Sequence, residues 1–247
     1  MAKLLIFTLK RDALTPPYLA MLALGWAVSV ALASLGGGFA AVVTSINFLT
    51  VVASFIAMMA STASTVGDRE GLVEAYLSSW GRAGYFWSRA VANLALALAY
   101  TLVAITPYFL LRGTPAVFFT LSVSAVASLL GTYIGLISKS RESAFLYSVV
   151  AWTGLAIIYD IVVAFINLIL PLGSEALLAI QLANPIKLVA LTATALVDRH
   201  LLTLGPLGEY VIHMGPEWIF VVFSGIYAAW LAALALAIYD NSKKIDL

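Results

Sequence analysis

The feature that most constrains this chain is a stretch without any charged residue, which runs from Ala13 to Val66. As a single helix it would be about 80 Å long, far more than the hydrocarbon core of a bilayer. The stretch therefore predicts two membrane-spanning helices, with the glycines at 36–38 at the turn between them. The alternating pattern of a membrane β-barrel is absent from the sequence, so helices are the expected way to satisfy the backbone in lipid.

Further charge-free runs follow, and each is near or above the roughly 20 residues that a spanning helix needs. In total the sequence predicts six transmembrane helices, near Pro17–Leu35, Phe39–Val66, Ala90–Leu111, Ala116–Ser138, Ala144–Leu170 and Pro216–Tyr239. Hydrophobic residues make up 63% of the chain and charged residues only 10%, whereas soluble domains carry about 25% charged residues. We therefore expect an all-α integral membrane protein with a single transmembrane domain over residues 1–247.

The basic residues predict the orientation, because cytoplasmic loops carry an excess of lysine and arginine. An even number of spans places both termini on one side, and that side holds ten of the thirteen basic residues. Only Arg112, Lys187 and Arg199 fall on the other side. We therefore expect a multi-pass protein of the cytoplasmic membrane with both termini in the cytoplasm. Residues 1–14 are expected to form an interfacial helix on the membrane surface.

The outer segment 172–215, between the fifth and sixth spans, allows two topologies. As one helix, residues 174–197 would form a seventh span with Pro185 and Lys187 at mid-membrane, and the basic C-terminus would move outside against the charge bias. Asn184 and Pro185 instead match a helix N-cap followed by proline at the first helical position. We therefore expect two short helices that dip into or lie on the outer face. Lys187 is then available to lipid headgroups or to an outer partner protein.

A polar segment, residues 67–89, separates the second and third predicted spans. Its apolar residues recur at helical spacing, whereas Glu70, Glu74 and Ser78 fall four apart on the other face. This pattern predicts an amphipathic helix parallel to the membrane on the cytoplasmic side. The simplest role of such a helix is to connect two spans.

The same segment, DREGLVEAYLSSWGRAGYFWSRAVANL, resembles the cytoplasmic loop of type-2 ABC transporter permeases. The shared features are Glu70-Gly71, a Leu-rich short helix at Leu72–Ser79, the turn Gly81-Arg82 and the basic Arg89, although Trp80 stands where the family has proline. Two other stretches, AWTGLAIIYDIVVAF and LANPIKLVAL, resemble the branch of this family associated with nitrous-oxide reductase maturation.

The resemblance implies a permease that forms a dimer, most simply a homodimer, and works with separate ATPase subunits. The segment would be a coupling helix in a cleft of the ATPase, with contacts from Arg69, Glu70, Gly71, Glu74 and Arg82. We expect no cofactor on this chain. ATP and Mg²⁺ would bind the partner, because the sequence contains no Gly-x-x-x-x-Gly-Lys-Ser/Thr phosphate loop. A rigid helix suits coupling, since closure of the ATPases must reach the spans as a rigid-body movement.

Asp160 is the only acid deep inside a predicted span, and an intramembrane carboxylate is costly enough to suggest a function. With Tyr159, it could line a translocation path or bind a polar part of the cargo. Alternatively it hydrogen-bonds a neighbouring helix, and a neutral Asp160 is consistent with predicted spans that contain no basic residue.

Other polar and small residues in the spans are expected to join helices. Asn47, Asn93 and Asn167 are predicted to form interhelical hydrogen bonds, and the small residues of AMMASTAST, at 57–65, to allow close packing of the second span.

Two other function classes remain as alternatives. An ion-coupled carrier or channel that uses Asp160 would be expected to carry more buried charges and an internal repeat. An intramembrane enzyme is disfavoured, because the predicted spans contain no histidine or cysteine and no known catalytic motif. The outer segment and its border hold His200, Glu209, His213 and Glu217, but their spacing matches no known ligand pattern, so no metal site is predicted. The charge distribution does not indicate nucleic-acid binding.

Overall fold

A computed structural model of the chain describes residues 2–35, 38–71, 82–198, 208 and 216–244. Nearly all of these residues are helical and none of them lies in a strand. Six of the helices are long and apolar enough to cross a membrane. The prediction of an all-α, multi-pass membrane protein is therefore confirmed.

The helices of the described residues follow one another with short connections. They are α1 (Ala2–Ala13), α2 (Pro16–Ser34), α3 (Phe39–Gly71), α4 (Arg82–Arg112), α5 (Phe119–Ile137), α6 (Arg141–Thr153), α7 (Tyr159–Ile169), α8 (Ser174–Ala183), α9 (Pro185–Val197) and α10 (Pro216–Lys244). A 3₁₀ helix, Pro115–Phe118, leads into α5, and a π-helix, Gly154–Ile158, joins α6 to α7 so that the three form one continuous fifth span.

The α3–α5 pair forms the centre of the bundle, and two glycines of α5 permit its close approach. A Cβ atom at Gly131 would lie 2.2 Å from the carbonyl oxygen of Met58, and one at Gly135 would lie 2.7 Å from the Cβ of Thr65. The hydroxyl of Thr62 donates a hydrogen bond to the carbonyl oxygen of Gly131 at 3.0 Å. Small residues and such bonds hold helices together in lipid, and the predicted packing surface at 57–65 is confirmed.

Contacts distinguish the two ends of the bundle. At one end, which we call the terminal end, Asp12 of α1 pairs with Arg89 of α4, and Ile238 of α10 packs in a cluster with Phe86 of α4. At the opposite end, the last turns of α2 and α4 pack with the 3₁₀ helix and α9. The N-terminal helix and the last turns of α10 therefore lie at the same end, as six spans require.

The second and third spans extend further at the terminal end than the sequence predicted. Helix α3 continues to Gly71 and α4 begins at Arg82, so residues 67–71 and 82–89 of the predicted loop belong to these two helices. Paired charges account for part of the difference, because Asp68 and Arg89 have ionic partners within the bundle and so can lie inside it. The predicted short helix Leu72–Ser79 lies outside the described residues.

The spans differ strongly in burial. Two thirds (67%) of the fourth span is buried within the chain, against 11% of the fifth span and 17% of the sixth. The fourth span is therefore central, whereas the fifth and sixth form an apolar outer edge of the molecule.

Candidate functional site

The structure brings together the predicted site residues of the fifth span and of the outer segment. The Nζ of Lys187 on α9 forms a salt bridge with Oδ2 of Asp160 on α7. Asp160 therefore contacts a neighbouring helix, and its partner there is a base that the sequence places outside the predicted spans. The Asp160 side chain is 46% exposed and the Lys187 side chain 22% exposed, so the pair lies at the surface of the bundle.

A sharp bend between α8 and α9 positions Lys187. The chain bends by 116° between these two helices, which we call the bent pair. Asn184 caps α9, because its Oδ1 accepts hydrogen bonds from the backbone N–H of Ile186 at 2.9 Å and of Lys187 at 3.4 Å. Pro185 occupies the first helical position. The predicted break at Asn184-Pro185 is confirmed, although the bent pair together is also apolar enough to count as a seventh, broken span.

Further hydrogen bonds fasten the bent pair to the neighbouring spans. The Nδ2 of Asn184 donates to the carbonyl oxygen of Leu155, in the π-helix, at 2.7 Å. The hydroxyl of Tyr159 donates to the carbonyl oxygen of Ile180. From the sixth span, Nε1 of Trp230 donates to the carbonyl oxygen of Ala183 at 3.1 Å. Single-turn π-helices are frequent at functional sites, and here the π-helix directly precedes Tyr159 and Asp160.

A second polar site, at the terminal end, was not predicted from the sequence. We call it the terminal charge cluster, and it consists of Arg11, Asp12, Asp68 and Arg89. Arg89 is only 1% exposed and is the largest fully buried side chain among the described residues. Its Nη1 contacts Oδ2 of Asp12, and its Nε lies 3.2 Å from Oδ2 of Asp68, close enough for an ion pair although not aligned for a hydrogen bond.

The terminal charge cluster joins three helices and is neutral overall. Arg11 of α1 reaches Asp12 at 2.9 Å and also pairs with Asp68 at the end of α3. Burial by itself lowers the pKa of Arg11, but the hydrogen bond to Asp12 and the charges of both carboxylates outweigh it, and the net pKa is raised. Mutual pairing offsets much of the desolvation penalty of these buried ions.

Hydrogen bonds extend from this cluster into the bundle. Ser64 donates to Oδ1 of Asn93 at 3.1 Å, and the hydroxyl of Tyr18 donates to the same oxygen at 3.0 Å. The Nδ2 of Asn93 donates to Thr132 at 2.9 Å and to Thr65 at 3.1 Å. Asn93 thus bonds to three other helices, and its predicted interhelical role is confirmed.

The other two asparagines do not behave as predicted. Oδ1 of Asn167 accepts a hydrogen bond from the backbone N–H of Leu172 at 3.0 Å, so it closes the end of its own helix. Oδ1 of Asn47 is buried without a hydrogen-bond partner in the part of the chain that the structure describes.

One sequence signal could have revealed the terminal charge cluster. Ser61, Ser64 and Asp68 lie three and four residues apart, so a helix that continues past Val66 places them on one face. Once Asp68 is placed inside the bundle, it requires a cation, and Arg89 is the base that directly precedes the predicted third span.

The structure describes only some of the residues predicted to form the coupling segment. Arg69, Glu70 and Gly71 belong to the last turn of α3, and Arg82 is the first residue of α4. Glu74 lies outside the described residues, as do His200, Glu209 and His213, while Glu217 is exposed at the start of α10. Among the described residues, no three side chains of the histidine, cysteine and acidic types come together as a metal site.

Comparison with known proteins does not identify a family for this chain. No protein-family model matches the chain, and a search of curated proteins found no significant match.

Proposed function

We propose that this chain is the membrane-spanning permease subunit of a type-2 ABC transporter. In this proposal two copies form a homodimer, and separate ATPase subunits drive export of a substrate or transmit force across the membrane. The observation that carries the proposal is the terminal charge cluster, because it ties together α1, the end of α3 and the start of α4, on either side of residues 72–81.

The position of the cluster suits a mechanical coupling. Asp68 lies in the last turn of α3, and Arg89 lies about two turns into α4. The ion pairs therefore hold the two helices together close to the ends that border residues 72–81. A displacement of residues 72–81 would therefore move α1, α3 and α4 as one body. This rigid movement is what an ATPase seated on that segment would need in order to reach the spans.

The charge distribution supports the side on which an ATPase would bind. The terminal end holds most of the basic residues, so we assign it to the cytoplasm and place both termini there. ATP and Mg²⁺ would bind the ATPase, since this chain has no phosphate loop. The coupling contacts are then assigned to Arg69, Glu70, Gly71, Glu74 and Arg82.

In this proposal the Asp160–Lys187 pair lies beside the path of the substrate, because Asp160 is a charged residue exposed on the fifth span away from its ends. The bent pair would move with that span, since Asn184 and Tyr159 bond the two together. The alternative function, an ion-coupled carrier that uses Asp160, is less well supported. The carboxylate of Asp160 is already paired with Lys187, whereas an ion-coupling site needs a group that can bind and release the coupled ion.

Charge reversal tests the proposal. The double variant Glu70→Arg/Glu74→Arg is expected to lose a co-purifying P-loop ATPase that the unmodified chain retains in mild detergent. The matched control is Glu175→Arg/Glu217→Arg, which reverses two exposed acids near the opposite end. The control should retain the ATPase. If the well-folded, unmodified chain brings down no ATPase, or if both variants retain it equally, the coupling proposal is wrong.

A further inference from the structure

A cleft of about 320 Å³ opens beside the terminal charge cluster. It lies between the junction of α1 with α2 and the last turns of α3. Arg11, Thr15, Ala63 and Gly67 contribute to its walls, as do the buried side chains of Asp12, Asp68 and Arg89. Its size is in the range of small-molecule sites, and charged side chains form part of its lining.

The hydrogen-bonding groups of this cleft favour an anion. Each of the two carboxylates already contacts three side chains, those of Arg11 and Arg89 together with Ser64 for Asp12 or Tyr85 for Asp68. Arg11 instead retains its Nη1, which has no partner among the described residues, and its side chain is 25% exposed. A free guanidinium donor beside carboxylates that already have cationic partners selects a ligand that accepts hydrogen bonds and carries negative charge, such as a phosphate.

The rim of the cleft is apolar, which indicates where such a phosphate comes from. Pro17 lines the cleft, and Leu14, at the α1–α2 junction, is 76% exposed. On α1 itself Ile6 and Phe7 are also exposed. A surface helix with such side chains inserts them at the boundary between lipid headgroups and acyl chains, which brings the cleft to headgroup level.

We infer that this cleft binds the phosphate group of a membrane phospholipid, with Arg11 as the principal donor and the apolar rim against the acyl chains. A bound lipid would bridge the α1–α2 junction to the end of α3. The inference stands on the cleft alone and does not depend on the proposed transporter function.

A binding measurement on the purified full-length chain in detergent tests the inference. The probes are dihexanoyl-phosphatidylglycerol, dihexanoylglycerol as its phosphate-free counterpart, and inorganic phosphate. A ligand that binds only the folded state raises the melting temperature with concentration. The phosphatidylglycerol should raise the melting temperature, and the phosphate-free lipid should not.

A substitution that fills the cleft gives the sharpest variant. A Cβ atom at Gly67 would meet nothing within 4 Å, so Gly67→Leu has room at its Cβ and occupies part of the cleft that Gly67 lines. The matched control is Gly225→Leu, another helical glycine with open space around its Cβ, on exposed α10. Both variants should fold, because leucine is the better helix former. Gly67→Leu should weaken phosphatidylglycerol binding about tenfold or more, the value of a charge-assisted hydrogen bond, and Gly225→Leu should not.

A second pair of variants tests the donor. Arg11→Gln should weaken binding, while Lys10→Gln, which removes the neighbouring exposed cation, should have little effect. Because Arg11 also pairs with Asp68, Gly67→Leu decides the matter if Arg11→Gln fails to fold. Unchanged binding in Gly67→Leu, or an equal response to dihexanoylglycerol, would overturn the inference. An equal response to inorganic phosphate at matched concentration would support phosphate recognition and overturn the lipid as its source.

Discussion

The two charged sites of this protein differ in burial and in the number of partners. In the terminal charge cluster, Arg89 is almost fully buried and contacts two carboxylates and Ser64. The Asp160–Lys187 pair has one ionic contact, and nearly half of the Asp160 side chain is exposed. The first site joins three helices at the base of the bundle, whereas the second fastens the bent pair to the outer edge of the fifth span.

This difference indicates different roles. A buried ion whose partner is removed leaves an uncompensated charge in a low dielectric, so the terminal charge cluster should resist change. A half-exposed pair is screened where water reaches it and can separate at little cost. The first site is therefore suited to hold helices in one arrangement, whereas the second fastens the bent pair to the fifth span more weakly.

Loss of Arg89 should have the largest effect. Arg89→Met would leave Asp12 and Asp68 buried with Arg11 as their only cationic partner in the cluster. We expect the free energy of unfolding to fall by about 3–5 kcal/mol, the range for breaking a buried ion pair. Titration with a denaturing detergent measures it. The control Arg112→Met removes a less buried arginine at the opposite end, which donates to the carbonyl oxygen of Leu35. An equal decrease in the free energy of unfolding in both variants would contradict the idea that the terminal charge cluster stabilises the bundle more than an ordinary arginine contact does.

Loss of Asn93 should have the second-largest effect on stability, because Asn93 forms the hydrogen bonds that link the cluster to the helices of the bundle. Asn93→Leu removes an amide that bonds to Tyr18, Thr65 and Thr132, and leaves those hydroxyls to find other partners. We expect a loss of about 1–3 kcal/mol, typical of unsatisfied buried polar groups. The control Asn167→Leu, at an exposed helix end, should change the free energy of unfolding much less. An unchanged free energy of unfolding in Asn93→Leu would show that the hydrogen bonds of Asn93 do not stabilise the bundle.

The number of spans could be predicted because charge-free length is a direct signal. The span ends could not, since the sequence shows where charges lie but not which of them are paired across helices. Asn184-Pro185 was predictable because a cap followed by proline is a local pattern. The pairing of Asp160 with Lys187 was not, because it depends on the 116° angle at which the bent pair folds back.

The same reasoning explains why the terminal charge cluster escaped prediction. Arg11 and Asp12 precede the first span, while Asp68 and Arg89 fall within the segment predicted as a loop. Each residue alone is typical of a solvated loop. Only the packing of α1 against α4 and the continuation of α3 to Gly71 bring the four charges together.

The Asp160–Lys187 pair should show the smallest effect, and a double-mutant cycle measures it directly. If water reaches the exposed pair, Lys187→Met, Asp160→Asn and the double variant should give a coupling free energy below about 1 kcal/mol. The equivalent cycle for Arg89 and Asp12 should give a clearly larger coupling.

A coupling of about 2 kcal/mol or more between Lys187 and Asp160 would break the comparison, because such a value requires an environment from which water is excluded. The exposed face of the fifth span would then be covered by lipid or by another protein chain, since only 11% of the span is buried within the chain itself. Repeating the cycle in detergent micelles and in lipid nanodiscs separates the two cases. A coupling that stays small in both shows a screened pair that is free to rearrange, whereas one that rises in lipid shows a pair that is held by its surroundings.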